Sequence, residues 1–298
     1  MRTISTPHVA SAGLVVMWSS GFVGARLGTD AGSADTLLAW RFLLAAAVLV
    51  GWLAIRGGWV PRGSGVRHAT VGLLTQCGYL GGIVTGVGMG VPAGTAALIA
   101  ALQPPLVGAL AGRVLGEPVS RRQWSGVWLG LAGVAIVVAD DIGRGTAQAA
   151  AYLLPVAGMA ALSAGTLLER RWRSPGTIVE TLTVHCLAGV IFFGGLAALN
   201  DRVLPPPDGG FWLAVAWIVV LSHFGGYGFY LAVLRHGGAT KVSTLLYLTP
   251  PATMLWAFVM FGDQVTIAGL AGLAACAVAV WLVLHRAHQS VARRVPAI

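Results

Sequence analysis

The chain has 298 residues, 56% of them hydrophobic and 10% charged, with a formal net charge of +9. A soluble domain carries about 25% charged residues, so this chain cannot cover a water-facing surface and reads as an integral membrane protein with the lipid bilayer as its surroundings. Its basic residues lie in short loops between apolar segments and form neither a basic tail nor one basic face, which fits membrane topology and excludes nucleic acid as a partner.

A membrane helix needs roughly 20 apolar residues. Ten stretches qualify, at approximately 9–27, 36–55, 68–89, 94–113, 122–139, 150–169, 177–199, 210–234, 241–261 and 266–285. The first begins near Val9, after Arg2 and His8. It resembles a signal-peptide core, but a multi-span chain follows, so it reads as the first retained helix. The breaks are Arg56 to Arg67 with Pro61, Gly116-Glu117-Pro118, Asp140-Asp141, Arg170 to Pro175, and Asp201 to Asp208 with Pro205-Pro206-Pro207. Ser120 with Gln123 spells a capping box ahead of the fifth helix.

Charge assigns the sides. With the N-terminus in the cytoplasm, 15 of the 19 Lys and Arg residues fall inside. Only Arg26, Arg144 and Arg202 fall outside, and Arg41 lies within the second helix. Cytoplasmic loops hold such an excess, so both termini are expected in the cytoplasm. The three cysteines, Cys77, Cys186 and Cys276, lie singly in apolar segments and form no CxxC pair. They read as small packing residues, with no metal site and no cofactor implied.

Residues 102–119, LQPPLVGALAGRVLGEPV, return as 248–265, LTPPATMLWAFVMFGDQV, at a shift of 146. At a shift of 144, Ser19, Gly21 and Arg26 meet Ser163, Gly165 and Arg170, and Arg41 meets His185. The chain therefore reads as two halves, 1–145 and 146–298, each of five helices. Because five is odd, the second half enters the membrane from the opposite side. The expected fold is all-α, ten transmembrane helices as two inverted five-helix repeats, an architecture of secondary transporters. Pro104-Pro105 and Pro250-Pro251 fall near the middle of the fourth and ninth helices, where proline frees backbone carbonyls. These four prolines are candidate hinges beside a midplane cavity; the alternative is a kink that serves packing alone. The spacings Gly82/Gly86/Gly90, Gly108/Gly112 and Gly126/Gly130 suit close helix packing.

The stretches WSSGFVGARLG (18–28), WRFLLAA (40–46) and PAGTAALIAALQPPLVGALAGRVLGEPVSRRQWSGVWLGLAGVAIV (92–137) carry a resemblance. They are similar to EamA-type members of the drug/metabolite transporter superfamily. The second half keeps the prolines, the Gly-acid turn and Gly272, but has Ala268 and Gly269 where a Gln-Trp pair would begin. The resemblance covers nearly the whole chain. It implies a basket in which helices 1, 3, 4, 6, 8 and 9 surround a central cavity and helices 5 and 10 lie at the periphery. It also implies a bacterial-type inner-membrane secondary transporter that exports small metabolites, amino acids first among them and aromatic ones included. A drug or cationic-metabolite exporter is the alternative.

The candidate cavity residues are Trp18, Ser19, Arg41, Tyr79, Gln103, Met159, Ser163, His185, His223, Tyr227, Tyr230, Tyr247 and Thr249. Aromatic rings with polar tips suit a small amphipathic solute; lipid-facing aromatics are the other reading. Arg41 either faces a cavity or snorkels to the headgroups. His185 and His223 are proton-relay candidates or packing residues. Glu169, Glu180 and Asp263 sit near helix ends, so no carboxylate relay is evident. That favours facilitated diffusion, exchange or histidine-based coupling. No HExxH, GxSxG or P-loop occurs, so no catalytic residue is assigned. A channel would want a continuous polar file or charged ring, and neither is present. The oligomeric state, monomer or homodimer, stays open.

Overall fold

The structure is a computed structural model describing residues 7–57, 64–116 and 120–284, with the backbone alone at 7, 235–240, 243–244 and 283–284. Pro61, Arg62, Glu117, Pro118 and the terminal Arg2, Arg286, Arg293 and Arg294 lie outside the described residues, as does the side chain of Arg235.

Every described element is helical. In chain order they are α1 (Pro7–Ala31), α2 (Ala34–Arg56), α3 (Gly65–Gly88), α4 in two pieces (Ala93–Ala100 and Gln103–Leu115), α5 (Arg121–Gly143), α6 (Ala149–Trp172), α7 (Ile178–Leu199), α8 (209–246), α9 (Thr249–Phe261) and α10 (Ile267–Leu284). Eight of these, α1 to α8, are long and apolar enough to cross a membrane. The α9 helix, at 13 residues, is shorter, and α10 is an apolar helix of 18.

Local chemistry sets the ends. Ser120 accepts from the Gln123 backbone N–H at 3.3 Å, and the Ser120 N–H donates to Gln123 Oε1 at 2.7 Å, the capping box the sequence spells. A second box, Thr177 with Glu180, opens α7 in the same way. Gly116 and Gly262, at φ 72° and 70°, close α4 and α9 in the left-handed conformation that glycine adopts without a Cβ penalty.

The prolines sit differently from the mid-helix position expected. The α4 helix stops at Ala100, and a new helix starts at Gln103 with prolines in its first turn. First-turn N–H groups have no intrahelical partner, so proline loses nothing there. The same arrangement precedes α9: Leu102 (φ −77°, ψ −10°) and Leu248 (φ −82°, ψ −4°) hold nearly the same break conformation. One boundary also moves. The expected gap between an eighth helix ending at 234 and a ninth starting at 241 is absent, because helix runs to Leu246 and the break falls at Tyr247–Leu248.

A further irregularity lies in α3 and α8. Each contains a π-helical stretch, Leu73–Gly78 and Ile218–Gly225. Such wide turns shift the side-chain register of the residues that follow and occur often at functional sites.

Glycine permits the tightest crossings. A Cβ on Gly82 of α3 would run into the Leu154 carbonyl and Gly158 of α6. Gly133 of α5 and Gly272 of α10 approach backbone to backbone in the same manner. The α5 and α10 helices pack chiefly on each other, as α2 and α7 do. Gly90, with φ 96°, lies in the turn after α3 and outside the expected helical stripe.

Polar contacts gather the helix ends. At one end, here the far end, Thr36 donates to the Arg202 carbonyl at 2.6 Å, Asn200 to Asp35 at 3.0 Å, and Thr95 to Asp141 at 2.6 Å. At the near end His68 meets the Pro175 carbonyl at 2.9 Å. The chain's aspartates, Asp30, Asp35, Asp140, Asp141, Asp201, Asp208 and Asp263, all belong to helix ends or turns at the far end, while Arg113, Arg121, Arg170, Arg171 and Arg173 belong to the near end.

Candidate functional site

The two π-helical stretches deliver polar groups to one place inside the bundle. Gln76 of α3 donates to the Tyr227 hydroxyl of α8 at 3.4 Å. His223 Nε2 lies 3.6 Å from Cys186 Sγ of α7, and its ring stands 5.6 Å from that of Tyr227. Trp18 of α1 closes the aromatic wall, with ring centroids 5.8 Å from Tyr227 and 6.1 Å from Tyr230. Tyr79 and Tyr227 lie deep in the protein yet keep accessible surface.

Arg41 enters this cluster from α2. It is 6% exposed, with Tyr79, Cys186 and Tyr227 as its electrostatic neighbours. Snorkelling to the headgroups is therefore not its arrangement. Its Nε has no hydrogen-bond partner.

Of the candidate residues, Trp18, Arg41, Tyr79, His223, Tyr227 and Tyr230 come together, and the others are placed elsewhere. Ser19 and Ser163 donate to the carbonyls one turn back, Val16 and Met159, at 3.1 Å and 2.8 Å. Both are fully enclosed, so a hydroxyl that satisfies itself within its own helix replaces the expected cavity role. Met159 packs in the main core at 5% exposure. His185 is wedged against Gly72 of α3, its Nε2 unpartnered. Gln103 donates to Thr166 of α6 at 3.1 Å, tying the proline break to α6. Tyr247 and Thr249 flank the second break with their hydroxyls unpartnered. Gln76 and Cys186 were missed in the sequence. Only the π-helical register turns Gln76 toward Tyr227, and no linear pattern signals it.

A second polar cluster lies at the far end. Arg26 of α1 grips both carboxylate oxygens of Asp263, just beyond α9, at 2.6 Å and 2.7 Å. Its guanidinium also covers the Phe261 ring at 4.2 Å. The pair is 31% and 28% exposed and lines a depression of about 460 Å³ with Thr95, Asp141, Arg144 and Met254. Arg26 belongs to the last turns of α1, near the end of the first helix read from the sequence.

A family model, the EamA-like transporter family, matches residues 8–139 and again residues 149–285. The chain belongs to the EamA-like transporter family. It is thus a member of the drug/metabolite transporter superfamily, and its apolar helices are those of a multi-pass membrane protein that moves small molecules. Fifteen chains among solved structures match. One, titled "Crystal structure of protein", shares 22% identity with a TM-score of 0.66 and covers 96% of this chain and 99% of its own. At that identity it supports the fold alone. No curated protein matches this chain.

Proposed function

We propose that this EamA-family chain is an inner-membrane exporter of amino acids, aromatic ones included, working by alternating access. The observation that carries this reading is the aromatic cluster of Trp18, Tyr227 and Tyr230, reached by polar groups from two irregular helices deep in an apolar bundle. Rings with polar tips recognise a small amphipathic solute.

The reading includes ten spans in two inverted halves, 1–145 and 146–298, with both termini cytoplasmic. It is supported by the tandem family matches at 8–139 and 149–285, the like-shaped breaks at Leu102 and Leu248, and the paired π-helical stretches. The arginine-rich near end then faces the cytoplasm and the aspartate-rich far end faces outward. On this reading the Arg26–Asp263 pair closes the outer side, and Pro104, Pro105, Pro250 and Pro251 flank the points at which α4 and α9 swing.

Purified protein in liposomes loaded with labelled phenylalanine, tyrosine, leucine or alanine tests it. Saturable efflux, competed by unlabelled amino acid, is expected, and repeating it with a pH gradient reads proton coupling. Folded protein that moves none of them would end the amino-acid reading. Replacing Pro104 and Pro250 together by alanine should slow efflux more than it lowers the yield of folded protein; unchanged efflux would remove the hinges.

A further inference from the structure

Arg41 stands about two turns into α2, enclosed and without a counter-ion. Among the described residues it makes no ion pair, and its buried Nε has no hydrogen-bond partner. The groups around it are the Cys186 thiol, the Tyr79 and Tyr227 hydroxyls, His223 and the Phe42 ring at 5.4 Å. None is an anion at neutral pH by its ordinary chemistry. The carboxylate nearest in sequence, Asp35, is held at the far end by Ser33 and Asn200. Glu169, toward the near end, acts electrostatically on Tyr227 and Tyr230 but is not among the groups that act on Arg41. An arginine stays charged in any surroundings, and a charge inside a membrane protein is costly unless paired. The interior thus holds a permanent cation with no ion-pair partner among the described residues, close to the aromatic cluster of Trp18, Tyr227 and Tyr230.

We infer that Arg41 is the anchor for the substrate's carboxylate, so that the transported class is carboxylates with a small apolar or aromatic body, and free cations are rejected. This rests on the transporter reading above and deepens it. The guanidinium fork matches a carboxylate in a bidentate pair. Tyr79 and Tyr227 carry hydroxyl donors next to it. The three rings around Trp18, Tyr227 and Tyr230 offer their faces to the body of the solute. A bound anion supplies the missing charge, and a cation adds to the repulsion. Phenethylamine, phenylalanine without its carboxylate, should therefore fail, whereas phenylpropionate, phenylalanine without its amine, should be recognised.

The test measures thermal stabilisation of the purified full chain by phenylpropionate, phenethylamine and sodium chloride, and competition of the two organic solutes with labelled phenylalanine in liposomes. Wild type is compared with Arg41→Gln and Arg41→Lys, each first checked for monodisperse elution. The expected result is stabilisation of wild type by phenylpropionate, at least tenfold weaker apparent affinity in Arg41→Gln, an intermediate value in Arg41→Lys, and no effect of phenethylamine. Equal response of wild type and Arg41→Gln overturns the inference. So does phenethylamine binding as well as phenylpropionate, or wild type binding no carboxylate. Stabilisation by chloride alone, lost in Arg41→Gln, would make Arg41 the seat of an inorganic counter-ion and overturn it too. Should Arg41→Gln fail to fold, the wild-type series and Arg41→Lys still decide. Carboxylate binding that depends on Arg41 without any amino-acid efflux would sink the transport reading alone. Efflux indifferent to the carboxylate would sink this inference alone.

Discussion

Arg26 and Arg41 stand on consecutive helices and have opposite surroundings. Arg26 is a third exposed, holds both oxygens of Asp263 and covers Phe261. Arg41 is enclosed among neutral groups and holds nothing. Water solvates the first, and a carboxylate already neutralises it, so its contribution to stability is modest, about 0.2–1 kcal/mol for such a pair. The second has neither water nor partner, and a folded chain tolerates that arrangement where the charge is used by something that arrives later. Pairing marks a contact between elements; the lack of it, at depth, marks a place for a ligand.

The sharpest way to break the contrast is to give Arg41 what Arg26 has. Cys186→Asp places a carboxylate beside Arg41, and the internal pair should then displace the substrate's own carboxylate. Phenylpropionate competition is expected to weaken about 100-fold, near 2.7 kcal/mol, in protein that still elutes as wild type. Undiminished competition would separate Arg41 from recognition.

The converse change removes the partner from Arg26. In a chain with Cys77, Cys186 and Cys276 replaced by alanine, Met254→Cys reports on the far-end depression that it lines. Arg26→Gln or Asp263→Asn should raise its labelling by a membrane-impermeant thiol reagent about fivefold, the factor that about 1 kcal/mol allows. The double change should add little, and Arg26→Asp with Asp263→Arg should restore the wild-type rate. Additive single effects would argue that the two residues act separately.

A milder version needs no mutation. Raising salt from 0.1 to 1 M shortens the screening length from about 10 Å to about 3 Å. Labelling at Met254→Cys should rise about twofold with Arg26 in place and not at all when Arg26→Gln is present; a rise in both would take the ion pair out of the closure. Smallest of all is a change distant from both arginines. Ser120→Ala removes the α5 cap, worth about 1 kcal/mol, and should lower the melting temperature by about 2 °C while leaving labelling and carboxylate competition as they were.

Composition made the membrane class legible, because 10% charged residues cannot solvate a chain of this size in water. The capping box at Ser120 was legible because its two hydrogen bonds need only residues three apart. The prolines were legible as interruptions, but their place was not. Spacing put them in mid-helix, whereas the chain stops the helix at Ala100 and uses proline where no N–H is required. Ser19 and Ser163 read as cavity residues from their polarity, yet each hydroxyl bonds its own helix. Gln76 and Cys186 gave no signal at all, since their roles come from partners 151 and 37 positions away.

By itself the sequence determined an all-helical membrane chain of the EamA type, the existence of two proline interruptions, and the imbalance of charge between loops. These follow from composition, short-range hydrogen bonding and proline's missing N–H, which act over a few residues. Only the tertiary structure decided which polar groups share an interior. The π-helical turns of α3 and α8 change which faces meet, and that brings Tyr79 and Tyr227 to an arginine on α2 that has no anion of its own. A charge's worth depends on what surrounds it in space, and spacing along the chain does not carry that information.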